Sequence, residues 1–198
     1  MRNGHPNVIN LTRLIHVFLL GGFAFCASPA EASCDTATVR TTRDIDLGML
    51  RSQPGLETGW ALLNPNGSLF LASGLSLSSR TPAYPGQVRL RARPGYDVTL
   101  SIEVDPPVLG GTSKVTEIYA EVSRGSISSA ANLWVVKVPT GASDFEFTDI
   151  DIFIGAYVFF SKIGVRSDKL QTSSVRVSCV FERPYEAASA TMVHLAPR

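Results

Sequence analysis

Histidine is nearly missing from this sequence. It has three in 198 residues, and His5 and His16 both fall near the N-terminus. A Ser-His-Asp or Cys-His arrangement needs an imidazole beside its nucleophile. An ordinary zinc site needs several His or Cys ligands. Neither is expected within the body of the chain, and His194, near the C-terminus, reads as a solvated tail residue. The phosphate loop, the dinucleotide fingerprint and the Gly-x-Ser-x-Gly elbow are absent too. Cofactors are therefore expected to be none. Also missing is any excess of charge. With Arg2, Arg13 and Glu31 set aside, 16 basic and 16 acidic residues remain. A nucleic-acid binder needs a strong basic excess to neutralise phosphates, so no nucleic acid is expected as a partner. Beyond Phe25 no run approaches the roughly 20 apolar residues that a membrane helix needs, and no long segment carries a 3.6-residue apolar period.

The N-terminus reads as an address. Met1 to Arg13 is polar with no acid, and Leu14 to Phe25 is an apolar run of 12 residues. That is short for a membrane span and right for a signal-peptide core. Ala30-Glu31-Ala32 offers small residues at the −3 and −1 positions of a cleavage site, which places the cut after Ala32. An uncleaved anchor and a lipoprotein through Cys26 are the alternatives. The first is opposed by the short core, the second by Phe25, where a lipobox has a small residue. The expected organisation is a signal peptide over residues 1–32, one domain over 33–185 and a tail over 186–198. Localisation follows as periplasm, cell surface or extracellular space, with no membrane span after cleavage.

Three cysteines are present, and Cys26 would leave with the leader. Cys34 and Cys179 remain, and in an oxidising compartment two cysteines most simply form one disulfide. It would close a loop of about 145 residues, worth about 4–5 kcal/mol in the chain-entropy model.

Strands and turns account for the rest. Trp60 to Leu63 stops at Asn64-Pro65-Asn66-Gly67, a strong turn signal, and Ser68 to Ala72 returns as a hairpin. Gln87 to Ala92 and Asp97 to Val104 alternate with period 2, and Pro94-Gly95 between them predicts an antiparallel hairpin. Arg40 to Leu47 alternates weakly. Val115 to Val122 reads equally as a strand or as one or two helical turns, and Gly125 to Ala131 as a small-residue loop. Leu133 to Val138, Ile152 to Phe160 and Ser174 to Phe181 read as strands. Turn signals every 8–12 residues are the spacing of a sandwich or barrel. The fold class expected is all-β, an immunoglobulin-like antiparallel β-sandwich.

Two groups of residues are candidate sites. Arg89, Arg91 and Arg93 share one strand face and could grip sulfate, phosphate or an acidic polysaccharide; the competing reading is a solvated face. Asp149 and Asp151 share one side of a strand, near Asp144 and Glu146, and suit calcium or a carboxylate hydrolase in principle. Their spacing matches no calcium loop, and a polar edge beside inward Phe145 and Phe147 explains them equally.

Several short motifs carry a resemblance. They are Asp44-Ile45-Asp46-Leu47-Gly48, Leu63-Asn64-Pro65-Asn66-Gly67, the strand–turn–strand of Gln87 to Ile102, and Ile154-Gly155-Ala156-Tyr157. Together they resemble the secreted bacterial family called domain of unknown function 4402, commonly considered pilin-like. Leu47 stands where that family has Phe, and Ala156 where it has a second Gly. Secreted spore-coat-like domains are the runner-up. The resemblance implies an exported, non-enzymatic structural or surface-interaction subunit with other surface or fimbrial subunits as partners. A glycan- or small-anion-binding module and a secreted carboxylate-dependent hydrolase are the alternatives. The segment Ala190 to Leu195 is a candidate donated or self-completing strand.

Overall fold

The computed structural model describes residues 34–185, apart from 54, 57, 79–80, 108–111, 141–145 and 162–169. The leader, the cleavage site, Asp144, Phe145, His194 and the tail 186–198 lie outside the described residues.

Thirteen strands and no helix make up the described residues. They are β1 (Thr38–Arg43), β2 (Ile45–Ser52), β3 (Thr58–Leu63), β4 (Leu69–Ala72), β5 (Leu75–Leu77), β6 (Gly86–Ala92) and β7 (Tyr96–Val104). They continue with β8 (Thr112–Val122), β9 (Ser126–Ala130), β10 (Leu133–Lys137), β11 (Thr148–Ser161), β12 (Leu170–Ser173) and β13 (Val175–Pro184). All pairings between them are antiparallel, and the architecture is an all-β sandwich. One layer is a six-stranded sheet of β1, β6, β11, β3, β4 and β8. The remaining strands form a four-stranded sheet in the order β13-β7-β10-β9, which packs across the core from it, and a three-stranded sheet in the order β12-β2-β5.

β11 is the spine of the larger sheet. Its alternate residues Ile150, Ile152, Ile154, Ala156, Val158 and Phe160 are all buried, as period 2 requires of one face against a core. Each large side chain among them contributes about 1.5–3 kcal/mol relative to exposure. Across the core they meet Val98, Leu100, Ile102, Val136 and Val138 of the four-stranded layer. β8 pairs with β11 over Ile152 to Ser161, which overlaps the partners of both β6 and β3. β6 and β3 therefore share the opposite edge end to end, and Gly155 sits where one hands over to the other. A Cβ there would stand 2.2 Å from the Leu63 carbonyl oxygen, so only glycine admits the approach.

Chain connections change layers where a polar residue satisfies the break. β1 and β2 are one run interrupted at Asp44, whose Oδ1 accepts the Val175 backbone N–H at 2.9 Å. The predicted hairpin at Asn64–Gly67 is present: Gly67 N–H donates to Asn64 O at 2.9 Å, and Leu63 pairs with Leu69. The hairpin expected at Pro94-Gly95 is not. β6 pairs with β1 and β11, whereas β7 pairs with β10 and β13. Gly95, at φ +78°, turns the chain from one layer to the other, and its N–H goes to Val138 O at 3.1 Å. Alternation reports which face is buried, not which strand lies alongside. A second correction falls on Gly125 to Ala131, where Ser126–Ala130 form an edge strand on β10. A third concerns Phe147, which is 41% exposed and not inward.

The two lateral seams of the sandwich differ. Where β1 lies beside β13, Cys34 and Cys179 form a disulfide with Cα atoms 6.0 Å apart. The Glu182 carboxylate accepts hydrogen bonds from Thr36 N–H, Thr36 Oγ1 and Ala37 N–H at 2.7–2.8 Å. Thr41 Oγ1 donates to Val175 O at 2.8 Å. On the other side, β8 pairs only with β11 and β9 only with β10 among the described strands. The turn between them is pinned at both ends. Ser123 N–H donates to Asp151 O at 2.8 Å, and a Cβ on Gly125 would stand 2.2 Å from Lys137 O.

Candidate binding surfaces

Away from that turn, the two free edges enclose a cleft of about 680 Å³ lined by Ile102, Val104, Val115, Ile118, Ser129 and Trp134. Ile102 is buried and the other apolar residues are partly so. A bulge at Thr116 sets this face. Val115 lies opposite Val158, but after the bulge Ile118, Ala120 and Val122 lie opposite Ala156, Ile154 and Ile152. All four thereby turn inward. Glu103, Thr116, Glu117 and Asn132 also line it, so the cleft offers apolar side chains with a polar rim between two unpaired strand edges, an arrangement that strand addition uses.

The outer face of the larger sheet brings both sequence candidates together. Arg89 is directly opposite Asp151, and Arg91 opposite Asp149, across β6 and β11. Arg89 Nε donates to Asp151 Oδ1 at 2.9 Å and its second nitrogen reaches Oδ2 at 3.3 Å. That hydrogen bond, more than the charge, holds the Asp151 carboxyl below the usual carboxylate range; it likewise raises Arg89. An acid kept ionised in this way is poorly suited to donate a proton. Arg91 and Arg93 lie over the exposed Phe147 ring at 5.4 and 6.0 Å from its centroid. Among the described residues, no cluster of three or more His, Cys, Asp or Glu is placed to hold a metal ion.

Two features of this face were missed in the sequence. Arg40 of β1 stands directly opposite Arg89, and Thr38 opposite Arg91. The signal was available, since Arg40 and Arg43 sit three apart in a weakly alternating run, but pairing of β1 with β6 was not readable. The same face also carries Trp60 stacked on Tyr157, centroids 4.7 Å apart, and Trp60 against Phe159 at 4.5 Å. These rings lie partly buried against one another, with Phe70 exposed beside them.

The outer face of the four-stranded sheet carries one more charged row. Asp97 lies between Lys137 and Arg183 by register, with Arg183 Nε 3.7 Å from its Oδ2. Burial, with the Asp97 charge as a smaller cause, pushes the Tyr185 hydroxyl up; it donates to Val138 O at 2.5 Å. This row caps the ends of β10 and β13.

The class these features define is an antiparallel β-sandwich with one sealed and one open lateral seam. No family model matches the chain, and no curated protein or solved structure is similar to it.

Proposed function

We propose that the chain is an exported, non-enzymatic structural or surface-interaction subunit that accepts a strand from a partner at the β8/β9 seam. The observation that carries this reading is the open seam itself: two unpaired edges flank a cleft of about 680 Å³ whose wall mixes apolar side chains with Glu103, Thr116, Glu117 and Asn132. Unpaired edges are a template for pairing with another chain unless they are covered, charged, bulged or very short. The Cys34–Cys179 disulfide supports an oxidising compartment, as expected of periplasm, cell surface or extracellular space. The motif resemblance to the pilin-like family supports the same class. Other surface or fimbrial subunits are the partners this reading names.

The test is the mass of the exported, mature chain in solution. The full sequence is expressed in a host with an oxidising periplasm and the product is sized by light scattering across concentration. Oligomer ladders, or a stable complex with a co-expressed partner, are expected, together with protection of β8 and β9 amides from hydrogen exchange. A compact monomer at every concentration, with β8 and β9 amides exchanging freely in all mixtures, would sink the reading.

A further inference from the structure

The outer face around β1 and β6 concentrates positive charge in a chain whose charges otherwise balance. Five arginines, Arg40, Arg43, Arg89, Arg91 and Arg93, lie on two adjacent strands and the loop after them. Arg40 is directly opposite Arg89. Like charges so placed destabilise a sheet, so an arrangement of this kind is favoured where an anion offsets it. The protein supplies only part of that offset. Asp151 takes Arg89 at 2.9 Å, and Asp149 lies in the same cleft opposite Arg91. Arg43 is held by the Pro85 carbonyl at 3.0 Å and lies over the Tyr84 ring. Arg40, Arg91 and Arg93 make no ion pair among the described residues, and all three are exposed.

Spacing and shape narrow the anion. Alternate residues along a strand lie about 6.6 Å apart and adjacent strands about 4.8 Å apart. By register Arg91 lies one alternate residue and Arg93 two alternate residues along from the Arg40–Arg89 pair, so a chain bearing successive anionic groups can engage all three in a row. A cleft of about 300 Å³ between Thr38, Arg40, Arg89, Arg91 and Asp149 runs beside them. Phe147, 41% exposed, holds Arg91 and Arg93 by cation–π contact and presents an apolar edge beside them. Two aspartates inside the patch oppose a polyanion as densely charged as duplex DNA, which carries a charge about every 1.7 Å. A polysaccharide with more widely spaced charges avoids them.

We propose that this face binds an anionic polysaccharide, its carboxylate or sulfate groups on Arg40, Arg91 and Arg93 and a sugar ring against Phe147. The site is separate from the β8/β9 seam. Substitution here leaves the mass in solution unchanged, so the two readings fail independently.

The test uses the exported mature chain in affinity electrophoresis against chondroitin sulfate and a polyuronate, with neutral dextran, inorganic sulfate and duplex DNA as comparisons. The expected result is retardation by both anionic polysaccharides at low salt and none by neutral dextran. Arg40→Ser/Arg91→Ser/Arg93→Ser should weaken binding at least ten-fold with the thermal midpoint within a few degrees of the parent. Arg51→Ser/Arg176→Ser/Arg183→Ser, which removes equal charge away from both surfaces, should retain it. Phe147→Ala should weaken the polysaccharides more than inorganic sulfate. Equal loss in the two triple variants would overturn the proposal, because net charge alone would then explain binding. So would equal or tighter binding of duplex DNA, or failure of both anionic polysaccharides to retard the protein.

Discussion

Where β1 meets β13 the two layers are tied by a disulfide, by three hydrogen bonds to Glu182 and by Thr41, whereas β8 and β9 are tied only at their turn. The first seam joins residues 145 apart in sequence, the second joins consecutive strands. Short connections cost little loop entropy, so the β8/β9 side could have been closed cheaply. It is instead held apart beyond the pinned turn. The distant ends of the domain, where fraying is expected, receive the covalent bond. Both flanks end in strands with a single ladder partner, but β1 and β13 are bridged by a covalent bond and side-chain hydrogen bonds while β8 and β9 are not, a division suited to a rigid body that uses one side for recognition.

The largest expected effect tests the sealed flank. Cys34→Ser/Cys179→Ser should lower unfolding free energy by about 4–5 kcal/mol, the chain-entropy value for so long a loop. A domain of this size holds only about 5–15 kcal/mol in all. Urea unfolding of the oxidised parent and the variant measures the difference. A loss under about 1 kcal/mol would mean that the seam is held by packing and not by the bond. Glu182→Gln comes next. The carboxylate accepts two backbone N–H groups and a hydroxyl at 2.7–2.8 Å, and the amide keeps only one acceptor oxygen. The expected cost is about 1–3 kcal/mol by the same measurement. An unchanged midpoint would remove Glu182 from the seam's energetics.

How much of this was legible in the sequence varied with the regularity of each strand. β6 and β7 alternate in sequence and were read to within a residue of their ends, β10 was read from its apolar run, and β13 was read to three residues short of its end. β8 was ambiguous for a structural reason. The bulge at Thr116 breaks the period of two, so that the inward residues run Val115, Ile118, Ala120 and Val122, and the three-residue step with the four between Ile118 and Val122 imitates a helix when small Ala120 is passed over. β2 hides similarly, because Gly48 at φ +76° shifts its buried set to Ile45, Leu47 and Leu50. β9 was read as a loop because its Ser and Ala side chains are mostly exposed and bury almost nothing. The disulfide followed from counting cysteines. The arginine face was half legible: Arg89, Arg91 and Arg93 share one strand, while Arg40, Asp149 and Asp151 join them only through pairing across β1, β6 and β11. Local pattern carries burial; strand order is a long-range property that it does not encode.

A smaller effect separates the charged outer face from both seams. Arg89–Asp151 is a partly exposed pair, so solvent screening leaves it only a small contribution to stability. Its carboxyl is held below the ordinary value, so the contribution is complete above the unfolded Asp value of about 3.9 and is lost as pH falls through the lower folded value. Asp151→Asn should therefore lose a little stability at neutral pH and show a flatter acid limb below about pH 4. A parallel acid limb in parent and variant would mean that the pair contributes nothing to acid stability.

The smallest expected change in stability belongs to the open flank, and it discriminates most about function. Ile118 is only partly buried on an edge strand, so Ile118→Ser removes about 1 kcal/mol or less of burial. The same substitution replaces an apolar side chain with a hydroxyl on the wall of the cleft that Trp134 and Val104 also line. If the cleft receives a partner strand, the loss appears in association: the parent's oligomers or complexes dissociate at higher concentration in the variant while its urea midpoint barely moves. Should the two change together, with folding and association losing equal free energy, Ile118 is simply part of the core and the open flank is no more specialised than the sealed one. A change in association alone would separate the two flanks by role as well as by construction.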